Sequence, residues 1–234
     1  TRKILLKGVS KKLDDQSNMK HFTPSYNPWD ERLCAVPDAD LFEAINNGKA
    51  SVVTDHIDTF TETGIRLKSG QELEADIIIT ATGLQMQLLG GMQLSLDGEH
   101  CPLNEQMTYK AVMMQNVPNM AWILGYTNAP WTLKADMASL YICRLLKHMS
   151  EQGKSVAIPL DHHGHIETDS IMGSLRSGYV QRGNSVLPRQ GSALPWRILN
   201  NYELDSVLLL KESLEDGILT FDPPAAARHA DQAA

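Results

Sequence analysis

Three consecutive isoleucines, Ile77–Ile79, constrain the fold of this chain more than any other feature. They lie in the segment Ala-Asp-Ile-Ile-Ile-Thr-Ala-Thr-Gly, which runs from position 75 to Gly83. A continuous β-branched run suits a strand that is covered on both faces, as in a parallel sheet. Gly83 allows the backbone to turn sharply or a ligand to approach the main chain closely. Because ligands collect at the carboxyl ends of strands in open α/β sheets, the segment predicts either a ligand-binding edge or a core strand with an ordinary turn.

The rest of the sequence predicts a mixed α/β chain. A helix is expected after Pro37, ending at Gly48, and a small β-meander is expected over 51–73. Another buried strand is expected to end at Gly125. Apolar residues at three- and four-residue steps predict a long helix over 133–152, with Thr132 as its amino-terminal cap. Residues 1–20 are expected to be frayed, residues 206–210 to form a strand or a helix, and the tail 223–234 to be disordered.

Composition excludes several function classes. The net charge of −7 argues against a nucleic-acid partner, which usually meets a basic face. No run approaches the roughly 18 apolar residues that a membrane-spanning helix needs. Three widely spaced cysteines predict reduced, mostly buried thiols of a cytoplasmic protein. The neighbouring histidines at 162, 163 and 165 lie in a glycine-containing loop, and a metal site is not expected there.

Three stretches together resemble one family. They are the Ala-Thr-Gly ending at Gly83, the loop from His21 to Cys34, and the segment from Gly125 to Asp136. These motifs are similar to those of the flavin-dependent Baeyer–Villiger monooxygenases, and most of all to the ethionamide-activating branch. The resemblance runs from about position 14 to about position 201. It implies an α/β, Rossmann-like flavoprotein fold with two dinucleotide-binding domains, of which this chain holds only a part.

The spacing of the glycines indicates which part of such an enzyme this chain does not hold. No two glycines stand two positions apart, so neither Gly-x-Gly-x-x-Gly turn of such an enzyme is present. We therefore expect a carboxyl-terminal portion: the second half of an NADP-binding domain over 1–80, part of an FAD-binding domain with a substrate-side extension over 81–222, and the tail 223–234.

The resemblance also assigns the cofactors and the reaction. It implies FAD and NADPH, with O2 and a small ketone, thioether or thioamide as partners, through a C4a-peroxyflavin. The chain taken alone is expected to be inactive and to self-associate. The alternatives are an N-hydroxylating or general flavin monooxygenase, which has the same fold, and a non-catalytic remnant that acts only as an interaction domain.

Site residues follow from the same resemblance. Arg32 is implied as the catalytic residue at the flavin–nicotinamide junction, although a surface ion pair with Glu31 is the ordinary interpretation of such an arginine. Many relatives have lysine where Glu31 stands, which leaves the preference for NADPH over NADH open. The other implied cofactor contacts are Thr82, Gly83, Asn128, Ala129, Trp131 and Thr132. The amino end of the helix after Thr132 suits an anion or a polarised carbonyl, such as the N1 and C2 edge of reduced flavin.

Overall fold

The computed structural model of the protein describes residues 1–165 and 167–222. The predicted disordered tail, 223–234, lies outside the described residues. The chain divides into two compact units, Thr1–Leu84 and Gln85–Ala234. The assignment of residues 1–80 and 81–222 to NADP- and FAD-binding domains stays a prediction.

The first unit begins with helices. Helix α1 spans Arg2–Ser10, and a 3-10 helix, Gln16–Phe22, follows and packs against it. The expectation that residues 1–20 are frayed is therefore wrong. Leu6 and Val9 lie on one side of α1 and are partly buried, so this side gives the helix a packing surface despite its two lysines.

The predicted helix and meander of the first unit are both present. A short 3-10 turn at Pro37–Ala39 leads into α2, Asp40–Asn46, which buries Phe42. The chain then reverses through Gly48, whose φ is +69°. Three antiparallel strands follow in the order β1 (Ile57–Phe60), β2 (Gly64–Leu67) and β3 (Glu72–Glu74). The predicted meander is confirmed from Ile57 onward, but its predicted beginning at residues 51–54 forms no strand.

The predicted buried strand at Ile77–Ile79 is wrong. The segment has no regular secondary structure, and Ile77 and Ile79 are 81% and 87% exposed. The meander runs antiparallel and pairs none of its strands with this segment. A β-branched run forms a buried strand only when strands on both sides complete its hydrogen bonds, and the described residues provide no such neighbours.

The second unit consists of short antiparallel pairs around helices. Its strands are β4 (Leu94–Leu96), β5 (Glu99–Cys101), β6 (Thr108–Tyr109), β7 (Met113–Met114), β8 (Ala157–Pro159), β9 (Glu167–Ser170), β10 (Arg189–Gly191) and β11 (Leu219–Phe221). Four two-stranded sheets result, β4 with β5, β6 with β7, β8 with β11, and β9 with β10. The helices are α3 (Trp131–Glu151), α4 (Gly178–Gly183) and α5 (Tyr202–Leu210), with 3-10 turns at Leu88–Gly91 and Leu103–Glu105.

Helix α3 forms one wall of the largest core cluster. Its buried face carries Met137, Tyr141, Leu145 and Met149, which pack with residues of β6, β8, β11 and α5. The periodicity therefore predicted both the helix and most of its buried face. The predicted cap is wrong, because Pro130 precedes the helix and Thr132 lies inside the first turn. At the other end Gly153, with a φ of +63°, allows the chain to leave the helix as predicted.

The fold class is confirmed only in its broad form. The structure mixes helices and strands. Within residues 1–165 and 167–222 the pairings between named strands are all antiparallel, and the parallel pairs are two isolated bridges, Pro28 with Glu31 and Met107 with Arg189. The strand expected to end at Gly125 is also wrong, since residues 122–125 have no regular structure. The cysteines differ from expectation as well: all three are free, but only Cys101 is buried.

Candidate functional site

Four of the sequence-predicted site residues lie together where the chain enters α3. Asn128, Ala129, Trp131 and Thr132 belong to the segment Gly125–Thr132, which we call the α3 entry loop. Asn128 and Thr132 are exposed, and the Trp131 indole is 45% exposed. The loop therefore presents polar and aromatic groups at one helix end, as a contact surface for a flat ring system requires.

The entry loop is closed by a contact between its two ends. A Cβ atom added at Gly125 would stand 2.0 Å from Cδ2 of the Trp131 ring, far inside van der Waals contact. Only glycine leaves room for the indole at this position. The aromatic ring predicted to face the flavin is thus seated directly on the loop backbone.

The amino end of α3 is electrostatically suited to a negative group. No acidic residue lies in its first turn, and Pro130 supplies no side-chain cap. The first N–H groups of a helix have no intrahelical acceptor, and the helix dipole adds about half a positive charge there. Anions and polarised carbonyls are stabilised by such an end.

A buried ion pair stands directly behind this helix end. Lys134 Nζ lies 2.7 Å from Asp205 Oδ1 of α5, and the ammonium also lies 5.6 Å from the centre of the Tyr126 ring. Burial lowers the pKa of Lys134 against the opposing effect of Asp205. Burial, and then the nearby Asp205 carboxylate, raises the pKa of the Tyr126 hydroxyl. The pair and the tyrosine join α3, α5 and the entry loop.

Asn200 supplies a further connection to the entry loop. Its side-chain Oδ1 accepts a hydrogen bond from the Thr127 N–H at 3.3 Å, and its carbonyl accepts one from Asn128 Nδ2 at 3.0 Å. Sequence reasoning missed Lys134, Asp205 and Asn200. The Asn-Asn pair before α5 was an available signal, because asparagine favours helix caps and left-handed backbone.

A second buried polar cluster involves the Met107–Lys110 stretch, to which the sequence assigned no role. Tyr109 Oη donates to Asp216 Oδ2 at 2.5 Å, and Lys110 Nζ lies 3.1 Å from the same oxygen. The other oxygen, Oδ1, accepts the Ile218 and Leu219 N–H groups. Burial opposes ionisation of Asp216, but the Tyr109 bond, the backbone donors and Lys110 together lower its pKa. This cluster stabilises the core of the second unit.

Arg32, the predicted catalytic residue, lies in the first unit. It is exposed and lines a largely apolar groove of about 460 Å³ with Phe22, Tyr26, Leu33 and other residues of the same unit. Arg2 also lines the groove and donates through Nη2 to the Pro24 carbonyl. The groove combines guanidinium groups with aromatic walls, which suits an anionic or polarised ligand. The role of Arg32 stays a prediction.

Thr82 and Gly83 lie in an exposed, irregular segment at the end of the first unit, and Gly83 has a φ of +103°. Gly83 thus has a backbone conformation that favours glycine, but neither the predicted strand nor a regular turn is present at residues 77–87. In the histidine segment, His165 Nδ1 lies 2.7 Å from Asp161 Oδ1. No group of three or more His, Cys, Asp or Glu residues that could hold a metal occurs in the described part of the chain.

Comparison with known proteins defines the class of this chain. It is homologous to FAD-containing monooxygenases, with 54% identity to MymA of Mycobacterium tuberculosis over 229 residues, or 98% of this chain. The identity is 52% to AlmA of Acinetobacter baylyi and 47% to EthA of M. tuberculosis, each over 94% of this chain. No family model matches, and no solved structure matches.

This homology bears out the resemblance of the motifs to FAD-containing monooxygenases. The chain is homologous, over nearly its whole length, to a part of each of these proteins. It spans 46%, 44% and 45% of the MymA, AlmA and EthA chains, respectively. No described helix is both long and apolar enough to cross a bilayer.

Proposed function

We propose that the chain is the carboxyl-terminal part of an FAD- and NADPH-dependent monooxygenase. The intact enzyme would transfer one oxygen atom of O2 to a ketone, as a Baeyer–Villiger insertion, or to a soft sulfur atom. The observation that carries the proposal is homology to three FAD-containing monooxygenases over at least 94% of the chain. The constrained entry loop at the amino end of α3 supports it.

The residues of the entry loop fit the isoalloxazine side of FAD. The helix end behind them lacks acidic side chains, and an exposed amide and an exposed indole stand beside it. When bound, FAD supplies the redox chemistry that protein side chains lack. Asn128, Ala129, Trp131 and Thr132 would hold the ring, and the amino end of α3 would stabilise negative charge at its edge.

The pyrophosphate groups of both cofactors need other residues. Glycine turns of the Gly-x-Gly-x-x-Gly type let the backbone approach a pyrophosphate closely, and the 234-residue sequence holds none. In our proposal these turns belong to the part of the relatives that this chain does not cover. Thr82 and Gly83 remain our candidates for a backbone contact to a cofactor.

Arg32 would stabilise negative charge in the reaction. A guanidinium stays protonated at any working pH and presents fixed donors, so it can stabilise negative charge that develops on a reacting oxygen. The proposal gives Arg32 this role and leaves anchoring of FAD to the entry loop.

Oxygen transfer in the full-length protein tests the proposal. The purified protein should be yellow, should consume NADPH faster when a ketone or thioether is added, and should place labelled oxygen from O2 into the ester or sulfoxide. A flavoprotein that oxidises NADPH and reduces O2 only to hydrogen peroxide, and leaves every ketone and thioether tested unchanged, would contradict the proposal. Labelled oxygen on an amine nitrogen would instead support the N-hydroxylating alternative.

A further inference from the structure

The segment before α5 contacts the entry loop through Asn200. Its φ is +49°, in the left-handed region, which asparagine tolerates better than most residues. The next residue, Asn201, caps α5 by accepting the Leu204 N–H at 3.0 Å. Asn200 is therefore fixed at the start of a capped helix.

Asn200 accepts hydrogen bonds from two consecutive residues of the entry loop, one through its side chain and one through its backbone carbonyl. Its Oδ1 accepts the backbone N–H of Thr127, and its backbone carbonyl accepts the side-chain amide of Asn128. Thr127 is buried, whereas Asn128 is exposed. The first bond, which is partly buried, fixes the loop backbone. The second bond fixes the orientation of an exposed amide that would otherwise sample several rotamers.

Helix α5 is itself anchored to the helix that follows the loop. The Lys134–Asp205 pair joins the first turns of α3 and α5, and both side chains are fully enclosed. Asn200 thus directly precedes a helix whose first turn is held by the Asn201 cap and by this ion pair. Such a support is rigid, because separating the two side chains would leave two buried charges without a partner.

We propose that Asn200 is a positioning residue for the flavin ring. It acts through Thr127 and Asn128 and does not touch the ring itself, and this role rests on the proposed FAD function of the entry loop. The Asn200 side chain fixes the backbone at Thr127, which is next to Asn128. The Asn128 amide is thereby placed before the ring binds, and this lowers the entropy cost of binding.

Three variants of the full-length protein test the proposal. Asn200→Gly keeps the left-handed backbone and the carbonyl, so it removes only the Oδ1 acceptor for Thr127. Asn200→Asp restores that acceptor and is the conservative rescue. Asn104→Ala is the matched control, because Asn104 also forms a side-chain bond to a backbone group, the Ser185 carbonyl, in the same unit.

The first measurement needs no flavin. In the flavin-free protein, hydrogen exchange of the peptide covering 125–132 should become about three- to tenfold faster in Asn200→Gly, the scale for one lost hydrogen bond. Exchange in the interior of α3 should stay unchanged, and Asn200→Asp and Asn104→Ala should resemble the wild type. Unchanged exchange in Asn200→Gly overturns the proposal whether or not FAD binds.

The second measurement uses oxidised FAD. In Asn200→Gly the Kd for FAD should rise by about three- to tenfold and the visible band of the bound flavin should shift, with recovery in Asn200→Asp. Faster exchange without any change in FAD affinity or spectrum would show a loop support unrelated to flavin and would overturn the positioning role. A wild-type protein that binds no FAD would overturn the proposed function, and the positioning role with it, while the exchange result would still decide the loop support.

Discussion

The ammonium group of Lys134 lies 2.7 Å from Oδ1 of Asp205, and the two side chains are only 3% and 2% exposed. A lysine in the first turn of a helix opposes the helix dipole. Its burial adds a desolvation cost, which only a well-placed carboxylate can offset. The fold should therefore be less destabilised when both residues are replaced by apolar ones than when only one is replaced.

Replacement of Lys134 by Met should destabilise the chain by about 3–5 kcal/mol, because Asp205 would remain as a buried, uncompensated charge. The double variant Lys134→Met/Asp205→Leu should recover most of this loss. Urea unfolding at low protein concentration, followed by circular dichroism, measures the difference. The control is Lys147→Met, which removes an exposed pair to Glu151 at 3.8 Å and should cost less than about 1 kcal/mol. Equal losses for the two lysine variants would contradict the prediction.

Asp216 should make stability depend on acid pH. Its pKa is lower in the folded chain than the usual 3.8, so the folded state binds fewer protons than the unfolded state near that pH. The stabilisation by the carboxylate is thus present above about pH 3.8 and is lost as pH falls through the lowered pKa.

The variant Asp216→Asn tests this dependence. At pH 7 it should be less stable by about 1.5–3 kcal/mol, because Tyr109 loses a bond to a charged acceptor and the buried Lys110 loses its counter-ion. The difference from wild type should shrink as the pH falls below 3.8. A stability difference that is the same at pH 7 and pH 2.5 would assign the effect to packing alone.

Local patterns predicted α3 and the meander β1–β3 because both are stabilised within short sequence distances. Ile77–Ile79 is the opposite case: a strand there depends on neighbours that local sequence cannot provide, and the described residues contain none. The predicted entry-loop residues do lie together, but their supports, Asn200 and Asp205, are distant in sequence. Such contacts depend on tertiary packing, which one sequence does not reveal.

The exposed isoleucines should make the 234-residue chain self-associate. Ile77 and Ile79 flank a groove of about 900 Å³ that also includes Val53 and Ile65. Exposed large apolar side chains that stand close together favour association. Ile77→Lys/Ile79→Lys should shift the chain toward monomer in sedimentation velocity. The control is Ile4→Lys, a single isoleucine that is 75% exposed on α1. A wild-type chain that stays monomeric at all concentrations would contradict the prediction.

The same chain should not retain FAD. The entry loop offers contacts for the ring, but the glycine turns for the pyrophosphate are absent from the sequence, and a ring contact alone supplies only part of the binding free energy. The purified 234-residue chain should be colourless after gel filtration, whereas the full-length protein should be yellow. A stoichiometric flavin spectrum in the short chain would show that the remaining contacts suffice.

Arg32→Ala in the full-length protein should separate catalysis from cofactor binding. In our proposal Arg32 stabilises charge on the reacting oxygen, and the entry loop holds the ring. FAD content and melting temperature should therefore stay near wild type, while ester or sulfoxide formation falls at least about a hundredfold, the scale for one preorganised electrostatic donor. Arg32→Lys should restore only part of the activity, because a point charge does not reproduce the planar donor array of a guanidinium.

The matched control is Arg66→Ala, which removes an exposed arginine of the same unit from its pair with Asp58 at 3.3 Å. It should leave product formation unchanged, since an exposed surface pair contributes little. If Arg32→Ala formed product as fast as Arg66→Ala, Arg32 would be an ordinary surface residue. If it lost FAD together with activity, its contribution would be to binding, and the charge on the reacting oxygen would have to be stabilised by another group.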